Sequence, residues 1–103
     1  MSGVSNPYRY HYEHVAASQS AQVLGGTGAV GDYLHRIVIT VATAASSLVQ
    51  VVDGSSTHTI LPNAVGGGVG VYNVEINSAS KNGAWKITTG AGSEVLAMGI
   101  FSA

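Results

Sequence analysis

The chain predicts an all-β domain: an antiparallel β-sandwich preceded by an extended N-terminal arm. Three observations carry that reading. The stretch from Asp32 to Ile60 is crowded with Val, Ile and Thr, which lose rotamer freedom in a helix and pack well on a pleated sheet. Short apolar runs recur about every ten residues between Gly-, Asn- and Asp-containing breaks, the rhythm of a sandwich or barrel. After residue 30 no run repeats with helical period. A jelly roll is among the topologies that fit, and turns alone do not select it.

Residues 1–22 read as the arm and 23–103 as the sandwich. Tyr8, Tyr10 and Tyr12 alternate with Arg9, His11 and Glu13, so an extended backbone puts the three rings on one face. Tyr rings outside a core bury area at low entropy cost, which suits a protein interface. Tyr8, Arg9, Tyr10, His11 and Tyr12 are therefore the candidate docking residues. The competing reading makes this segment a first strand of the domain.

Gly26, Gly28 and Gly31 fall at G-x-G-x-x-G spacing. A dinucleotide site needs a helix directly afterwards, so that its amides face the pyrophosphate. The β-branched run from Tyr33 follows instead, and the segment reads as a flexible loop. Tyr33–Thr43 is a long strand, apolar on both faces around Ile37–Ile39, as in a strand covered on two sides. Ser47–Asp53 and Thr57–Leu61 pair across Asp53-Gly54, a tight hairpin signal. Pro62 ends the second, because it cannot donate to a ladder.

Gly66-Gly67-Gly68 and Gly70 read as a mobile loop tip. Val71–Asn77 alternates Tyr72, Val74 and Ile76 with Asn73, Glu75 and Asn77, a half-buried strand. Asn82-Gly83 predicts a further tight turn. Trp85, Ile87 and Thr89 then share a face, and Gly90–Ser93 turns the chain again. Val95–Phe101 closes the domain.

At 103 residues one domain is expected, burying roughly 65% of its unfolded surface. There is no Cys, which rules out disulfides and thiolate metal sites and fits a cytosolic product or a particle assembled in the cytosol. Four basic and five acidic residues give a net charge of −1. A soluble monomer usually carries charge on roughly a quarter to a third of its surface residues. Lys and Pro that guard sheet edges are scarce, so much of the exterior is expected to meet protein. A basic footprint for nucleic acid is missing, and no apolar run is long enough for a membrane span.

Catalytic chemistry finds no foothold. His11 and His14 have ligand-like spacing, but zinc wants three or four converging donors and no third is evident. No carboxylate pair is spaced for joint acid–base work. No Gly-x-Ser-x-Gly elbow occurs. An enzyme is not expected, nor any cofactor or metal. Trp85, Tyr33 and Tyr72 could offer an aromatic platform to glycans. Against that, a Trp alternating in phase with Ile87 is the pattern of a core residue.

Gly28–Leu34, the Asp53-Gly54 hairpin, Leu61-Pro62-Asn63, Gly67–Tyr72 and Gly83–Thr89 together resemble small virion structural proteins of tailed bacteriophages, over about three quarters of the chain. The resemblance implies a non-enzymatic particle component, most readily a capsid decoration (cement) protein on the outside of the shell. It implies assembly in the host cytoplasm, with the major capsid protein and copies of itself, as a homodimer or homotrimer, for partners. The alternative is a head-fibre or tail adhesion module that binds host glycans. Tyr8–His14 lies outside this likeness.

Overall fold

The computed structural model describes residues 10–103. Eight strands follow one another: β1 (His11–Val15), β2 (Gln22–Val23), β3 (Tyr33–Val41), β4 (Val49–Asp53), β5 (Ser56–Leu61), β6 (Gly70–Ala79), β7 (Trp85–Thr89) and β8 (Ser93–Ile100). A short 3-10 turn, Ala44–Ser46, links β3 to β4. Two four-stranded sheets form, ordered β1-β8-β3-β6 and β2-β7-β4-β5, and every pairing is antiparallel.

That order has a simple generator. First pairs with last, second with seventh, third with sixth, fourth with fifth. A long two-stranded ribbon, folded over on itself, produces these four pairs and splits them alternately between two sheets. It is the double Greek key of eight strands. The sandwich is a jelly roll.

Between the sheets lie Val15, Leu34, Ile37, Ile39, Val41, Val95, Ala97 and Phe101 from one side, and Val49, Val51, Leu61, Trp85 and Ile87 from the other, with Leu24. Alternation along each strand delivers them. Trp85 is 5% exposed, and its Nε1–H donates to the Asp32 carbonyl at 2.8 Å, so the indole is packed apolar and satisfied polar at once.

The expected boundary at 22/23 is corrected. β1 pairs with β8 from His11↔Gly99 to Val15↔Val95, and β2 pairs with β7. The link between them is tied to β7 as well. Thr89 Oγ1 donates to the Ala16 carbonyl, the Gln19 N–H donates to Thr89 Oγ1, and the Ala21 N–H donates to Thr88 Oγ1. Residues 11–22 therefore belong to the sandwich, because their backbone groups find partners on β7 and β8. Tyr8 and Arg9 lie outside the described residues.

Two loops also differ from expectation. The glycine-rich segment before β3 is pinned rather than loose: the Thr27 and Gly28 N–H groups donate to the Ser102 carbonyl, and the Asp32 carboxylate accepts from the N–H groups of Ala29 and Ser102 and from Ser102 Oγ. A Cβ on Gly25 would overlap the Ser102 carbonyl; the glycine is there for close approach. Asn82-Gly83 is no hairpin turn, since β6 and β7 lie in different sheets. It is part of a crossover whose backbone is held by Asp53. Lys81 and Asn82 donate their N–H groups to that carboxylate at 2.9–3.1 Å. Burial alone would raise the Asp53 pKa, but the N–H groups of Asn82, Lys81 and Gly83, helped by nearby His58, hold it below its ordinary value.

Candidate interaction surface

The outward faces of the two sheets differ in chemistry. On β2-β7-β4-β5 the residues facing away from the core form two rows: Gln50 lies between Thr59 and Thr88, and Val52 lies between Thr57 and Lys86, with Val23 on the far side of Lys86. Gln50 Nε2 donates to Thr59 Oγ1. This is a solvated face.

The outward face of β1-β8-β3-β6 is mixed, with an apolar strip along β8 and aromatic rings at one end. Ala97 and Gly99 of β8 point inward, which leaves Leu96, Met98 and Ile100 outward. Register fixes the rows. Tyr12 sits beside Met98, Met98 beside Arg36, and Arg36 beside Glu75. His14, Leu96, Val38 and Asn73 make the next row, and Glu94, Thr40 and Val71 the third. Tyr12 and Val71 are 74% and 68% exposed. Four strands about 4.8 Å apart and some eight residues long give a projected area of about 500 Å². A flat contact over it would bury about 1,000 Å² counting both partners, the threshold for a specific interface.

One end of this face carries an aromatic cluster. β3 shifts register between Leu34 and Arg36 against both neighbours, which makes His35 an extra residue relative to β8. A bulge re-aims side chains. Here Tyr10 stacks on His35, with ring centroids 4.7 Å apart and planes 16° apart, and Tyr33 closes the group 6.0 Å from Tyr10. Tyr33 Oη donates to Asn77 Oδ1, and Asn77 holds the matching irregularity of β6 at φ 51°. Polar groups on the face lie close to one another: Arg36 Nη2 is 3.8 Å from Glu75 Oε2, and His14 Nε2 is 3.3 Å from Glu94 Oε1.

Of the predicted docking residues, Tyr10 and Tyr12 share this face, as their alternation required. His11 points to the other side, opposite Gly99. The glycan platform does not assemble. Trp85 is in the core. Tyr72 lies on the inward side of β6, opposite Ile39, with its hydroxyl donating to the Gly68 carbonyl. Tyr33 lies on the outward side of β3. The three rings cannot meet one ligand.

Leu96, Met98, Ile100 and Val38 belong to the face and were not singled out from sequence. Their signal was present: β8 is apolar on both alternations, as in a strand covered twice. Among the described residues no group of three His, Cys, Asp or Glu side chains stands close enough to hold a metal ion, and no pocket opens.

No family model matches the chain, and no curated protein matches it in sequence. Among solved structures, the tobacco streak virus coat protein dimer is 11% identical with a TM-score of 0.31, covering 97% of this chain and 91% of that one. A second crystal form of the same coat protein gives 11% identity and a TM-score of 0.27, covering 95% and 90%. A likeness this slight carries no argument, and the jelly roll rests on strand order alone.

Proposed function

We propose that this protein is a non-enzymatic virion component that decorates and stabilises a bacteriophage capsid by laying its β1-β8-β3-β6 face on the major capsid protein. The observation that carries the reading is the contrast between the two outward faces. One is mainly threonine, glutamine and lysine, with Val23 and Val52 among them. The other sets Tyr12, Leu96, Met98, Ile100, Val38 and Val71 among Arg36, Glu75, His14 and Glu94, and exposed apolar side chains rimmed by polar ones mark an interaction site. The scarcity of charge across the chain supports the same reading. The fold supplies a rigid platform and by itself says nothing of function. Symmetry-repeated modest contacts would sum through avidity on a shell. The glycan-binding alternative retains only Tyr33 of its three aromatics.

Met98→Glu tests this. The side chain is at the centre of the face, so a carboxylate there opposes docking while leaving the core untouched. Particles assembled with the variant should carry few copies by gel densitometry, and the free variant should melt close to wild type. Full occupancy would refute the face. Removing residues 1–9, with β1 kept, measures separately what Tyr8 and Arg9 contribute.

A further inference from the structure

The two long sides of the sandwich are finished differently. On the β1/β2 side, Val15 and Leu24 are fully buried, and Glu13 draws the strands together by accepting from Gln22 Nε2 and the Gly25 N–H at 2.8 Å each. On the β5/β6 side, Ile60, Val65, Tyr72, Val74 and Ile76 reach the core yet stay only partly buried. β6 is also the longest strand, ten residues with one unpaired edge. It contains neither Pro nor Lys, the usual guards of such an edge. Val69, just before it, is 67% exposed.

We propose that the free edge of β6 pairs antiparallel with β6 of a second copy, across a two-fold axis at Val74. The strand's own sequence argues for a copy as the occupant. For both core faces to lie on the same side of the joined sheet, opposed residues must share a face, so their numbers differ by an even count. Centring on Glu75 would put two carboxylates face to face. Centring on Val74 pairs Val74 with itself, Tyr72 with Ile76, and Asn73 with Glu75 through an amide–carboxylate hydrogen bond, within the regular part of the strand that ends at the Asn77 irregularity. Aromatic–aliphatic cross-strand pairs of this kind stabilise sheets. The pairing shelters the half-buried residues of the open side and joins two apolar faces into one of eight strands. It stands independently of the shell reading above.

Asn73 points outward at the edge, which makes it a clean probe. Asn73→Glu opposes Glu75 of the other copy twice per dimer and should raise the dissociation constant about tenfold or more. Asn73→Lys meets the same carboxylates with opposite sign and should leave the dimer intact or tighter. Light scattering over a concentration series reads the mass, and thermal melts establish that both variants fold. A wild-type mass of one chain at all concentrations overturns the proposal. So does an oligomer that both variants keep equally, because the contact then lies elsewhere.

Discussion

Asp53 offers a quantitative test of how the crossover between the two sheets is held. Its side chain, on a residue 6% exposed, accepts from the Lys81 N–H with both oxygens and from the Asn82 N–H with one. Hydrogen bonds to a charged acceptor are worth about 1.5–3 kcal/mol each. Asn in its place keeps one carbonyl oxygen and turns an NH₂ toward donors, so Asp53→Asn should cost about 2–3 kcal/mol at neutral pH, or roughly 10–20 °C in melting temperature for a domain of this size. The cost should depend on pH. Because the folded pKa is depressed below the unfolded value of about 3.9, the carboxylate's contribution is present above the unfolded pKa and fades as pH falls through the folded one. Urea titrations of both proteins at pH 7 and near pH ~2 measure this. The difference should shrink toward zero in acid. A cost below about 0.5 kcal/mol at pH 7, or one that is equal at both pH values, refutes the assignment.

Gly99→Ala should be among the most damaging single changes, since its Cβ would overlap the Tyr33 carbonyl and lie 2.9 Å from the Phe101 ring; loss of soluble expression or a fall of at least about 3 kcal/mol in stability is expected. Gly54→Ala combines φ 63° with a Cβ 2.6 Å from the Asn82 backbone, and should destabilise by about 1–3 kcal/mol in chemical denaturation. Trp85→Phe removes one buried hydrogen bond and some packing, for about 1–3 kcal/mol; a glycan array should read the same for variant and wild type, because the indole is out of reach.

The strands were legible wherever a local pattern existed. Alternation placed β6 and β7, β-branched density placed β3, and Asp53-Gly54 marked the hairpin, whose loop has φ 63° at Gly54. In-phase spacing with Ile87 put Trp85 in the core. What escaped was non-local. Nothing near His11 announces that Gly99 will be its partner, so a strand 88 residues away left residues 11–22 looking like an arm. Asn82-Gly83 carries hairpin chemistry, yet it joins strands of different sheets, and turn residues do not specify which sheet follows. The apolar face was half legible. Tyr10 and Tyr12 were placed by alternation, but Val95, Leu96, Ala97 and Met98 are apolar on both sides, and only the small inward residues Ala97 and Gly99 hinted at which side was core.

The ribbon pairing builds the aromatic end of this face from strands far apart in sequence. Among the described strands only β4 and β5 are joined by a tight hairpin; β3 pairs with β6 some 35 residues on, and β1 pairs with β8 across most of the chain. Long-range closures of this kind slow folding. Tyr12 lies on β1 and Tyr10 directly before it, so both are placed by the pairing of β1 with β8. The Tyr10–His35–Tyr33 group therefore exists only where the first and last described strands share a sheet, so its geometry reports on whether that long-range closure has been made.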